Sequence, residues 1–138
     1  MKIIALTVIS ILSIIACKTD IDPTSIVGKW SPTYITQSRL ANGTYEAFHK
    51  INTLVALQTY EFTSGGRFFR DGKPGASICR SGNRYEVANN KITFSEKHPD
   101  EALVNCIPCD NWAVIDIKND TLILEECKTV RNKFVRIK

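Results

Sequence analysis

The stretch Asn111-Trp112-Ala113-Val114-Ile115-Asp116-Ile117-Lys118-Asn119-Asp120-Thr121-Leu122-Ile123-Leu124-Glu125-Glu126-Cys127 decides the fold class. It reads as two runs rich in β-branched and aliphatic residues, 111–118 and 121–127, joined by Asn119-Asp120. A two-residue linker of Asn and Asp tolerates positive φ and suits the tight turn of an antiparallel hairpin. The same unit stands upstream, where 83–88 and 91–95 flank Asn89-Asn90, and Tyr85, Val87, Ile92 and Phe94 alternate with polar or charged neighbours. Further upstream, 57–63 and 67–70 flank Ser64-Gly65-Gly66. Tyr60 and Phe62 share one face there, while Thr59, Glu61 and Thr63 share the other, the period of two expected of a half-buried strand. With 29–37 and 133–137 the chain carries eight expected strands, and short runs closed by turn signals are the all-β pattern.

The connections are unequal. Those at 64–66, 89–90 and 119–120 are tight, whereas 38–56, 71–82 and 96–110 are long. If successive strands pair antiparallel in an up-and-down order, the three tight turns fall at one end and the long loops at the other. The expected body is a small antiparallel up-and-down β-barrel with a closed floor and a loop-rimmed mouth. Tyr60, Phe62, Tyr85, Val87, Phe94, Val114, Leu124 and Phe134 are expected to point into its interior, which can hold side chains or one small ligand. In the first long connection Ala47, Phe48, Ile51, Leu54 and Val55 recur at helical spacing, which predicts a short amphipathic helix over the mouth.

The first residues speak for the compartment. Met1-Lys2 is a short basic start, Ile3 to Ile15 is almost wholly apolar, and Ala16-Cys17 follows, which is the layout of a signal peptide over 1–16. As a helix this apolar run would span only roughly 20 Å, short of a bilayer core of about 30 Å. Residues 17–24 are polar and carry Pro23, so they read as a tether, and the domain is expected over 25–138 as a single core. Ile14-Ile15-Ala16-Cys17 resembles the lipobox of bacterial lipoproteins, in which the cysteine is acylated and becomes the mature N-terminus. That resemblance implies an anchor to a bacterial membrane through Cys17 and a place in the cell envelope, on the outer membrane, facing the periplasm or the surface.

Assigning Cys17 to lipid leaves Cys79, Cys106, Cys109 and Cys127, an even number that fits two disulfides in an exported protein, with three pairings open. All four stand next to long connections, so they are expected to gather at the mouth. The net charge of +4 is spread among acids instead of forming a basic block, which argues against a nucleic-acid partner.

Gly28-Lys29-Trp30 at the start of the first strand resembles the Gly-x-Trp signature of lipocalins, and Arg136 near the end of the last strand is placed like the arginine that packs across that tryptophan. The layout is similar to that of the small lipocalin-like lipoproteins of Bacteroidetes-type bacteria. The resemblance implies that Gly28, Trp30 and Arg136 close the floor and that the barrel binds a small, mostly apolar molecule without catalysis. An envelope interaction protein, an inhibitor or accessory subunit gripping a macromolecule with its rim loops, is the second reading. Interior volume separates the two.

The remaining motifs point less far. Cys106-Ile107-Pro108-Cys109 has thioredoxin-like spacing, but a strand pattern follows it where a redox site needs a helix N-terminus. A zinc site would need a second close cysteine pair. His49 and His98 fall in loops with no second ligand at metal spacing, so no metal or cofactor is expected. Ser64-Gly65-Gly66 lacks the strand–turn–helix setting of a nucleophile elbow. Of Glu61, Glu86, Glu125 and Glu126, three alternate against apolar residues and are expected to face solvent, so no acid and base pair is assembled and an enzyme is not expected.

Overall fold

The computed structural model describes residues 20–100, 105, 107, 109 and 111–138. The expected signal peptide, Cys17 and Cys106 lie outside them. No described helix is long and apolar enough to cross a membrane.

The chain is all-β. In order come β1 (Gly28–Ser38), β2 (His49–Lys50), β3 (Tyr60–Phe62), β4 (Phe68–Arg70), β5 (Lys73–Pro74), β6 (Arg84–Ala88), β7 (Lys91–Ser95), β8 (Asn111–Lys118), β9 (Thr121–Glu126) and β10 (Val130–Ile137). They form one strongly curled antiparallel sheet in the order β5-β4-β3-β1-β10-β9-β8-β7-β6, with β2 paired to the outer half of β1. Sheet neighbours are consecutive in the chain except around β1, which lies between β3 and β10, and its join to β10 bends the meander back on itself. The two margins of the curl then touch at one bridge, Arg67 with Arg84. The Phe68 N–H donates to Asn83 O and the Tyr85 N–H to Gly66 O, each at 2.9 Å.

Local chemistry explains the elements. Asn89 and Asn90 both take positive φ, 51° and 59°, as a two-residue hairpin turn requires. Along β9 burial alternates, with Leu122, Leu124 and Glu126 inward and Thr121, Ile123 and Glu125 half-buried. In β1 the register slips between Pro32 and Thr36, and Tyr34 sits in the bulge with a φ of 62°. Pro32 has no N–H to give a ladder, and it stands just beyond the last residue that pairs with β3.

The floor is built as the sequence suggests. Trp30 is fully buried, and its Nε1–H donates to Ile26 O at 2.8 Å. The Arg136 guanidinium lies 4.2 Å over the indole centroid and donates to Val27 O at 2.6 Å and Ser25 O at 2.8 Å. Such a cation on an aromatic face contributes roughly 0.5–2 kcal/mol. Gly28 has a φ of 139°, and a Cβ there would run into Arg136 Nη1. A 3-10 turn, Pro23–Ile26, plugs this end beneath the tight turns: the Ile21 N–H donates to Asn90 Oδ1, and the Arg136 N–H to Asp120 O.

Above the floor the interior is filled by rings in contact: Phe62 with Phe68 and Tyr85, Phe68 with Phe94 and Trp112, Phe94 with Trp112, and Tyr60 with Phe68, Trp112 and Phe134, at centroid distances of 4.8 to 5.7 Å. Pairs at such distances contribute about 0.5–1.5 kcal/mol beyond burial.

Three expectations change. No helix forms over 47–55: His49–Lys50 pairs with Ile35 and Thr36, and the Ile51 N–H donates to Tyr34 O. The helix would have laid Phe48, Leu54 and Val55 on the mouth, yet all three are exposed, Leu54 completely. The backbone of 49–51 takes β1 as its partner instead of forming the local bonds of a helix. The strand expected over 57–63 shortens to β3 because the Thr59 N–H and hydroxyl are taken by Asp71 Oδ1. The last strand begins three residues earlier than expected, where Val130 pairs with both Ser38 and Glu126.

Candidate functional site

The mouth is laced together. Cys109 and Cys127 form a disulfide with a Cα separation of 5.2 Å, tying the connection before β8 to the end of β9. Cys79 is disulfide-bonded too, and its carbonyl accepts the Cys109 N–H at 2.9 Å. The described cysteines therefore gather at the long-loop end, away from Trp30. Cys127 and Lys128 both take positive φ in the turn from β9 to β10.

Beneath this rim the barrel holds a cavity of about 340 Å³. Ile35, Val55, Leu57, Val130 and Phe134 give it apolar walls. Tyr60, Trp112, Arg70, Arg80, Glu126 and Asn132 bring polar atoms. Strand geometry sets them there. Tyr60 faces inward on β3, and Arg70 is its register partner on β4, two residues from buried Phe68. Glu126 ends the inward series of β9, opposite Trp112 on β8. A second and wider groove of about 680 Å³ lies over the disulfide, bordered by Ile78, Ile107 and Lys128, and it shares Arg80, Glu126 and Val130 with the first.

Glu126 is the buried charge of the site, 7% exposed. Both carboxylate oxygens accept from the Tyr60 hydroxyl at 3.3 Å, and Oε1 accepts from Asn132 Nδ2 at 3.0 Å. Burial raises its pKa, opposed by the Asn132 and Tyr60 hydrogen bonds and by the charges of Arg80 and Arg70. The Tyr60 hydroxyl is raised as well, first by burial and then by the Glu126 carboxylate. Neither arginine forms an ion pair within 4 Å with Glu126 or with another acid among the described residues. Arg70 Nη2 donates to Gln58 Oε1. Arg70 Nε–H and Trp112 Nε1–H are buried and find no acceptor among the described residues. A buried donor left in that state costs about 1–3 kcal/mol.

Of the interior residues expected from the sequence, Tyr60 and Phe134 line the cavity. Phe62, Tyr85, Phe94, Val114 and Leu124 are buried in the packed core below, with Val87 half-buried against it. Gly28, Trp30 and Arg136 belong to the floor. The sequence singles out none of Trp112, Asn132, Arg70 and Arg80 and offers Glu126 only as a carboxylate without a catalytic partner, although continuing the alternation Leu122, Leu124 reaches Glu126 and continuing from Phe68 reaches Arg70. Glu61, Glu86 and Glu125 do turn away from the interior, with Glu61 facing Lys29 and Glu125 holding Arg131 at 2.9 Å. His49 sits 3.5 Å from Glu46, and His98 lies 3.7 Å from Asp100. No group of three metal-ligating side chains exists among the described residues. Comparison with protein-family models, with curated proteins and with solved structures returns no match for this chain.

Proposed function

We propose that this is a lipid-anchored protein of the bacterial cell envelope whose lipocalin-like barrel binds a small, mostly apolar ligand without transforming it. The observation that carries the reading is the cavity of about 340 Å³ at the mouth, with apolar walls and a few convergent polar groups above a packed aromatic floor. Binding pockets have this composition: apolar surface supplies affinity, and a few placed polar atoms fix orientation. At about 30 Å³ for each water-sized group the space suits roughly ten non-hydrogen atoms. The Gly28, Trp30 and Arg136 floor supports the lipocalin-like comparison, and the lipobox-like Ile14-Ile15-Ala16-Cys17 supports the anchor.

Mass spectrometry of solvent extracts from the purified native protein tests the reading. A retained small molecule is expected, and Val130→Trp, which fills the cavity from β10, should lose it. Extracts empty for both proteins, together with no thermal shift across a library of small organic molecules, would defeat the proposal. The exposed rim residues Leu54, Val55 and Ile107 favour the second reading, a macromolecular partner gripped by the loops. Photo-crosslinking from Ile107 to one envelope protein, unaffected by Val130→Trp, would decide for it.

A further inference from the structure

Two side chains that line the cavity carry buried hydrogen-bond donors without an acceptor among the described residues. Glu126 is the buried acid, and its oxygens are already engaged by Tyr60 and Asn132. Arg70 Nε–H and Trp112 Nε1–H remain buried without acceptors, the latter on a side chain 98% removed from solvent by its 2% exposure. Both residues neighbour Tyr60: Arg70 is its register partner, and the Trp112 ring is 5.2 Å from the Tyr60 ring. The Arg80 guanidinium on the rim makes no ion pair among the described residues, so the cavity holds two arginines against one carboxylate. Native structures rarely leave buried donors orphaned without a use, and here the missing component is an acceptor with negative charge. The apolar walls ask for a short hydrocarbon body behind it.

We infer that the ligand is a small monocarboxylic acid with an apolar body, its carboxylate received by Arg70 and the Trp112 indole N–H under the charge of Arg80. The inference rests on the ligand-binding reading above and names the chemistry of that same cavity. A carboxylate supplies two oxygens and up to four lone-pair directions, so one such group can accept from more than one donor. An alcohol of the same body supplies one oxygen and no charge, and an amine adds a cation beside two others.

The test is isothermal titration of the full-length protein with three compounds of one body and different heads: 3-phenylpropionate, 3-phenyl-1-propanol and 3-phenylpropylamine. The carboxylate is expected to bind at least tenfold tighter than the other two. Arg70→Gln and Trp112→Phe should each weaken the carboxylate about tenfold while leaving the alcohol within twofold, with near-ultraviolet circular dichroism confirming the fold of each variant. The comparison of heads on the unmodified protein stands even if a variant fails to fold. Equal binding of carboxylate and alcohol would overturn the carboxylate inference and leave small-molecule binding in place. Binding of none of the three would also overturn it, and the retained-ligand spectrum would then decide the broader reading on its own.

Discussion

At Glu126 the alternation of β9 delivers a carboxylate to a place where the two preceding inward residues are leucines. Its raised pKa follows from burial, and it ties stability to pH. Above the ordinary glutamate value of 4.5 and up to the raised folded-state value, the folded protein binds this proton more tightly than the unfolded chain does. Stability therefore falls as pH rises through that window. Glu126→Gln keeps an oxygen for Tyr60 and Asn132 and removes the charge. The variant is expected to exceed the parent in stability at pH 7, and the gain should shrink as the pH is lowered to 4, as read by urea denaturation at both values. A gain of the same size at the two pH values would show that charge burial at this residue is not its origin. The sequence makes apolar inward positions visible because a run such as Tyr60, Phe62 has one chemical character. It hides Glu126 and Arg70 because a polar residue at the end of an inward series looks like the beginning of a loop, and only the neighbouring strands reveal that it is covered.

Among elements, the β8–β9 hairpin was readable from Asn119-Asp120 and the alternation on either side. Its length matched expectation at β8 and differed by one residue at β9. The Cys109–Cys127 bond closes a loop across a sequence separation of 18 around this hairpin. A crosslink of that span restricts the unfolded chain by about 3 kcal/mol. Replacing both cysteines by serine should lower unfolding free energy by about that amount in urea, and a loss below 1 kcal/mol would mean that the connection before β8 stays ordered in the unfolded chain without it. The pairing itself could not be read from spacing, since neither Cys106 nor Cys109 is the register partner of Cys127 in an ideal hairpin. Residues 47–55 were misread for a related reason: periodicity over nine residues suits a helix, but two backbone pairs with β1 lie outside any local window.

For the whole molecule, the unequal connections revealed the meander and its two ends, because tight turns force neighbours together and the long loops must go elsewhere. The join of β1 to β10 follows from curling such a sheet, and Trp30 with Arg136 marks it in the sequence. How completely the curl closes was not legible, since that depends on how the 71–83 segment returns along β4. The first described residues dock at the floor through Ile21, at the end opposite the cavity. Cys17→Ser is expected to abolish incorporation of labelled fatty acid and to move the protein from the membrane fraction to the soluble one; continued labelling would refute the lipobox reading. With an anchor at the floor, the mouth faces away from the bilayer.

The contact between Arg67 and Arg84 makes this sheet a split ring and not a hoop. Elsewhere around the circumference, adjacent strands are stitched by runs of paired residues, whereas the split is held by two backbone hydrogen bonds, by the Tyr85 hydroxyl and Arg84 guanidinium donating to Thr63 O and Gly65 O, and by the rings behind them. A hoop can enlarge only by breaking a ladder. A split ring can widen along its gap with every ladder intact, so the girth of the interior is set less by the ladders than by the side chains packed inside it.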